Sequence, residues 1–171
     1  KHPALYRVHE GPTPETRTTL ANYLTALGLN LSLSEEPSPS EFQVIADATK
    51  DRPDAQQIHT MLLRSMQQAI YTATNSGHFG LAYEAYTHFT SPIRRYPDLL
   101  VHRVIKALLH GKRYHIDSGK LEEAPVVRKG GKAPPPRVQE TEAWEAAGAH
   151  CSANERRADE ASRDVQAWLK C

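Results

Sequence analysis

The residues best suited to chemistry lie together between His88 and Asp98. This run holds two prolines, two adjacent arginines, a hydroxyl pair and three aromatic or imidazole rings. Pro92 drives Ser91 towards extended backbone, so a helix does not pass through Ser91-Pro92 without strain. Pro97 suits the first turn of a helix, where a missing N–H costs nothing, and Asp98 complements the positive helix end. The apolar residues that follow, Leu100, Val101, Val104, Ile105 and Leu108, recur at helical spacing. Arg94 and Arg95 are therefore expected on irregular backbone at the mouth of a helix. Guanidinium groups beside free helix N–H groups make an anion site, and phosphate is the anion that best fits them. Phe89 and Tyr96 flank the arginines in positions suited to stacking on bases. The plain alternative is an ordinary turn whose arginines pair with nearby carboxylates.

Other chemistries fare worse. His78, His88 and His102 form no HExxH motif, and neither cysteine stands at zinc-ligand spacing from a histidine. Ser91 is not in a G-x-S-x-G elbow, and its hydroxyl is expected on local backbone or on a phosphate. The net charge is only +1, so any nucleic-acid site must be local, built from a few placed arginines. There is no run of 18 apolar residues and no signal-peptide pattern. These features predict a protein with no membrane partner. Cys151 and Cys171 are expected reduced, as in the cytoplasm.

The run Tyr86-Thr-His-Phe-Thr-Ser-Pro-Ile-Arg-Arg-Tyr-Pro-Asp-Leu-Leu-Val-His-Arg103 resembles the signature of the RNB exoribonucleases, the family of ribonuclease II and, more closely here, bacterial ribonuclease R. The resemblance extends to Leu5-Tyr-Arg-Val-His9, Met61-Leu-Leu-Arg-Ser-Met66, Gly77-His-Phe-Gly-Leu81 and Asn154-Glu-Arg-Arg-Ala-Asp-Glu-Ala161. It implies hydrolysis of single-stranded RNA from the 3′ end, with release of nucleoside 5′-monophosphates. It also implies that Arg94 is the catalytic arginine on the scissile phosphate. Ser91, Arg95, Tyr86 and His88 then fall to RNA contact, Arg95 either neutralising a neighbouring phosphate or bracing the loop. Glu155 is expected near the RNA channel. Mg²⁺ in such enzymes is bound by an aspartate cluster spaced roughly D-x5-D-x-D-D, which this chain lacks. The resemblance thus implies an α+β, predominantly α-helical fold: the C-terminal portion of an RNB catalytic domain, with short strands around the central motif. Metal ligands and an N-terminal half of the domain would lie elsewhere in a parent enzyme. Surfaces that such a half covers would favour self-association of the piece alone. A second hypothesis from another class is a non-catalytic helical module that binds RNA or a protein partner.

The rest of the chain must position these groups. Leu5 to His9 reads as a short strand, Leu5, Arg7 and His9 on one face and Tyr6 and Val8 on the other, with Arg7 and His9 as readily solvated as functional. Thr13-Pro14 starts a helix with stripe Leu20, Tyr23, Leu24, Leu27, ended by Gly28. Ser38-Pro39-Ser40-Glu41 reads as a capping box before Phe42, Ile45 and Ala46. Asp54 is expected to cap a third helix running to about Asn75, with Ile58, Leu62, Met66, Ala69 and Ile70 buried and Met61 and Leu63 widening the stripe. His78–Tyr86 suggests one or two strands. Residues 112–137, rich in Gly, Pro and Lys, predict a flexible connection. A last helix from about Thr141 to Lys170 carries a seam at 3,4 spacing: Trp144, Ala147, Cys151, Ala158, Ala161, Val165 and Trp168. The seam is expected to be buried along its whole length, broken only at Asn154.

Overall fold

The structure is a computed structural model that describes residues 3–29, 31–116, 119, 121–123 and 138–170. The elements in order are β1 (Tyr6–Val8), α1 (Pro14–Ala26), α2 (Pro39–Thr49), α3 (Ala55–Ser65), β2 (Ile70–Thr72), a 3-10 turn at Phe79–Leu81, α4 (Tyr96–Leu109), β3 (Lys112–Tyr114), β4 (Leu121–Glu123) and α5 (Val138–Trp168). The fold is α+β and predominantly helical, as expected. No helix among the described residues is long and apolar enough to cross a membrane.

The chain forms two compact units, one of Val8–Ala69 and Ser76–Tyr86, the other of Lys1–Arg7, Ile70–Asn75 and Thr87–Cys171. The first is a small helical unit. Thr13 caps α1 by accepting from the Thr16 N–H at 3.2 Å, and Gly28 leaves the helix at φ 74, a conformation that costs glycine little. The capping box of α2 is complete. The Glu41 N–H donates to Ser38 Oγ at 3.4 Å, and the Ser38 N–H donates to the Glu41 carboxylate at 2.6 Å. These caps let three short helices bury Leu20, Leu24, Phe42, Ile45, Ile58 and Leu62 together. The ring of Phe79 closes the cluster, edge-on to Phe42 at 5.2 Å.

Several sequence expectations fail here. The Asp54 side chain does not cap α3; it is taken by Arg52, through two bonds of 2.8 Å. The helix also stops at Ser65 instead of continuing to Asn75. The Ser65 hydroxyl turns back onto the Leu62 carbonyl, and Met66 is extended. Ile70, Tyr71 and Thr72 then form β2, which suits their strand propensity once β1 is available as a partner. Ile70 is exposed there, and Leu63 is exposed within α3 itself. His78–Tyr86 forms a turn with isolated bridges rather than regular strands.

In the second unit β2 pairs with β1, and Leu100, Val104 and Ala107 of α4 pack on Leu5, Tyr114 and Trp144. Ile105 and Leu108 of the expected apolar stripe are instead exposed. Leu5 and Val8 are both buried, so β1 does not sort its residues by simple alternation. Within the expected connection, β3 and β4 pair antiparallel, Tyr114 opposite Leu121; residues 124–137 lie outside the described residues. Helix α5 lies directly on β2. A Cβ at Gly148 would sit 2.6 Å from the Tyr71 carbonyl oxygen, so only glycine permits this approach. Tyr71 is anchored there, its N–H donating to Ser152 Oγ at 2.9 Å.

The seam of α5 is buried only in its first half. Trp144 is fully buried and Cys151 nearly so, but Ala158 and Ala161 are exposed, as are Val165 and Trp168, the last at 78%. A 3,4 spacing defines an apolar stripe and not the element that covers it; here the cover is β2 and α4, and it reaches Glu155. Asn154 is exposed and hydrogen-bonds His150 at 2.8 Å.

Two outcomes follow for denaturant melts. Trp144→Ala should cost about 3–5 kcal/mol, whereas Trp168→Ala should cost under about 0.5 kcal/mol; equal losses would contradict this packing. The Ser38 and Ser34 N–H groups hold the Glu41 carboxyl at about 2, below its ordinary 4.5. A depressed carboxylate contributes stability that is full above pH 4.5 and lost as pH falls towards 2. The midpoint gap between wild type and Glu41→Gln should therefore be open at pH 6 and closed near pH 2; a gap independent of pH would remove the capping box as its source.

Candidate functional site

The motif loop is closed by one carboxylate. The Ser91 carbonyl accepts from the N–H groups of Arg94 and Arg95, at 3.2 and 3.0 Å, and turns the chain into α4. Asp98, in the first turn, is fully buried. Its Oδ1 accepts from the Ser91 N–H and from Arg95 Nη2, both at 2.8 Å. Burial alone would raise its pKa, but the Ser91 N–H and the Arg95 guanidinium outweigh burial and hold it below the usual carboxylate range. Asp98 is thus an ionised clamp on the loop rather than merely a favourable charge at a helix end. Arg95 braces that clamp. Arg94, the next residue towards the loop tip, is exposed and has no side-chain hydrogen bond or ion pair among the described residues.

A second charge pair faces the same place. Arg7 donates from Nη1 to Glu155 Oε2 at 2.6 Å, and its guanidinium lies over the Tyr71 ring, 4.5 Å from the centroid. The Tyr71 hydroxyl shares a 2.8 Å hydrogen bond with His88 Nδ1. Burial raises the Tyr71 pKa. Burial, then Arg95 and Arg7, lower that of His88, so the pair stays neutral at neutral pH. Arg7, Glu155, Arg95 and Asp98 are the charges that act on these two rings.

Beside these groups lies a cleft of ≈ 550 Å³. One wall is Arg94, Arg95, Tyr96 and Pro97; the other is the α5 stretch with His150, Cys151, Asn154, Glu155 and Asp159; Tyr71 completes the lining. Of the sequence-predicted residues, Arg94, Arg95 and Glu155 meet here. His88 stands behind the lining, bonded to Tyr71. Ser91 is half-buried, with its backbone engaged in the loop. Tyr86 belongs to the other unit, edge-on to His78 at 5.2 Å. Phe89 stacks on His102 at 4.3 Å. Among the described residues no three His, Cys, Asp or Glu side chains converge as a metal site. Such a cleft has one uncommitted guanidinium for an oxyanion and carboxylates opposite it.

Arg7 and Tyr71 were not legible as site residues. Arg7 reads as readily solvated as functional on its strand, and its partner is 148 positions away. Tyr71 falls in a stretch that reads as helix. The Arg95–Asp98 pair did carry a signal, since residues three apart are neighbours on a helical turn.

Comparison with known proteins shows the family and the fold. The RNB domain model matches residues 1–111. The chain is 48% identical over 171 residues to ribonuclease R of Escherichia coli K12 and 43% identical over 168 residues to that of Thermotoga maritima. These alignments take in 100% and 98% of this chain but only 20% and 21% of the relatives, so the chain spans about a fifth of their length. The apo form of Mycoplasma genitalium RNase R superposes with a TM-score of 0.76 over 99% of this chain and 24% of that one, at 23% identity, which shows the shared fold. The same enzyme has been solved with ribose-methylated single-stranded RNA. Yeast Ssd1, a pseudonuclease, matches with a TM-score of 0.61 over 86% of this chain and 16% of that one, at 25% identity. The motif from Tyr86 to Arg103, the clamped loop and the match over residues 1–111 converge on one family, and the chain belongs to the RNB domain proteins.

Proposed function

We propose that this chain is the part of a 3′-to-5′ exoribonuclease that holds the scissile phosphate of single-stranded RNA, the parent enzyme releasing nucleoside 5′-monophosphates. The observation that carries this reading is Arg94. Arg94 and Arg95 line the cleft, and Arg7 is paired with Glu155 of its lining; Arg95 is neutralised by Asp98 and Arg7 by Glu155. Arg94 alone among these three has no protein partner in the described residues. A phosphodiester gathers negative charge on its oxygens as it is attacked, and a fixed guanidinium at that point binds the transition state more strongly than the ground state. Arg95, held by Asp98, fixes the loop that presents Arg94. Ser91, His88 and Glu155 are assigned to RNA contact, as is Tyr86 in the other unit. The likeness to ribonuclease R, and the single-stranded RNA bound by the Mycoplasma enzyme, support this assignment.

The described residues do not fit a Mg²⁺ site. We place its ligands, and the remaining half of the catalytic domain, in parts of a cytoplasmic parent enzyme beyond this chain, in keeping with its fifth of the relatives' length. The exposed Val165, Trp168 and Leu169 supply an apolar surface for that half, or for self-association of the chain alone. The second reading is a non-catalytic module that binds RNA or a protein partner. Ssd1 favours it, because a pseudonuclease shares the fold and fold alone does not confer chemistry.

In the parent enzyme, Arg94→Ala should lower kcat on single-stranded RNA by about 10²–10³-fold, with affinity changed far less. Arg94→Lys should recover little, since an ammonium lacks the bidentate fork. Near-normal single-turnover cleavage by Arg94→Ala would sink the assignment. For the 171-residue chain alone, we expect no Mg²⁺-dependent release of mononucleotides; robust, EDTA-sensitive release would mean that a complete metal site is present.

A further inference from the structure

Arg7 and Glu155 pose an electrostatic question that the proposed function leaves open. Glu155 lines the same cleft as Arg94. An unpaired carboxylate there would seek the exposed guanidinium and compete with a phosphate for it. We propose that Arg7 is a positioning residue: it holds Glu155 in an ion pair and so keeps Arg94 open to phosphate. This rests on the reading of Arg94 as the phosphate-binding group.

The geometry suits the task. Arg7 enters on β1, which pairs with β2 and so sits beside Tyr71. Its planar group lies on the Tyr71 ring at 4.5 Å and is largely buried, its side chain 14% exposed. The ring cannot drift, because the Tyr71 N–H is bonded to Ser152 and its hydroxyl to His88. A guanidinium fixed in this way has little freedom to release its carboxylate partner at 2.6 Å. Glu155 is the less buried member, 32% exposed. Once released, it has room to turn into the cleft. Asp159, on the same wall, has no ion-pair partner among the described residues. It is unchanged in every comparison below, as are His150 and Cys151.

The bland alternative is that Arg7–Glu155 is a brace tying β1 to α5. The two accounts differ in what a second substitution does. A brace broken at one end is not mended by removing the other end, whereas a competitor set free is disarmed by neutralising it.

The test compares wild type, Arg7→Gln, Arg7→Lys, Glu155→Gln and the Arg7→Gln/Glu155→Gln double variant of the 171-residue chain. Each is titrated with inorganic phosphate and with a fluorescein-labelled single-stranded oligoribonucleotide at low ionic strength, and folding is followed by far-UV circular dichroism. Arg7→Gln should bind both probes about tenfold or more weakly, the loss expected when an ionic competitor of about 1.4 kcal/mol is released. The double variant should return to within about threefold of Glu155→Gln, and Arg7→Lys, which keeps the charge but not the planar stack on Tyr71, should fall between Arg7→Gln and wild type. Binding by Arg7→Gln equal to wild type overturns the proposal. So does a loss that Glu155→Gln fails to restore, or unfolding of Arg7→Gln that persists in the double variant. Phosphate binding with this pattern but no RNA binding would uphold the role of Arg7 and refute the RNA reading; wild type binding neither probe would refute both.

Discussion

The motif depends on a buried carboxylate. Asp98 has no exposure and holds both the Ser91 N–H and the Arg95 guanidinium on one oxygen. It therefore joins the loop before α4 to the first turn of α4 itself. Removing one partner of such a pair costs about 3–5 kcal/mol, because the other charge is left without compensation. That cost explains why Arg95 belongs to the scaffold although it is as basic as its neighbour. Two adjacent arginines with the same side chain acquire different roles because only one of them meets an anion supplied by the protein.

The same division of charge recurs across the cleft. Arg7 neutralises Glu155 as Arg95 neutralises Asp98, and Tyr71 and His88 lie neutral between the pairs. With both pairs formed, Arg94 is the cleft-lining guanidinium without a carboxylate partner among the described residues. The arrangement needs α5 close to β2, since Glu155 is on the helix and Tyr71 on the strand. Gly148 permits that closeness and Ser152 fixes it. A side chain at position 148 would push the helix out, and with it the wall that carries Glu155 and Asp159.

Much of this was legible in the chain. The motif marked Arg94, the prolines marked the break and restart of helix at its two ends, and the capping signatures at Thr13 and Ser38 placed α1 and α2. These are local effects, set by φ restriction and by hydrogen bonds over three or four residues, and they survive any tertiary context. Where the reading of α3 and α5 failed, the cause is also physical. Ile70-Tyr71-Thr72 continues an apolar helical period, yet strand pairing with β1 outweighs it. The α5 stripe runs unbroken to Trp168, but periodicity carries no information about how far the covering layer extends.

By itself, then, the sequence determined the helical character of the chain, the irregular backbone around Arg94 and Arg95, and the family to which that motif belongs. Only the tertiary structure decided which arginine is free, because charge pairing depends on distances between residues as far apart as Arg7 and Glu155. It likewise decided that Asp98 is buried and that Trp144, not Trp168, anchors α5. Burial and ion pairing are properties of what packs against a residue, and the order of residues along the chain specifies that partner only through the fold.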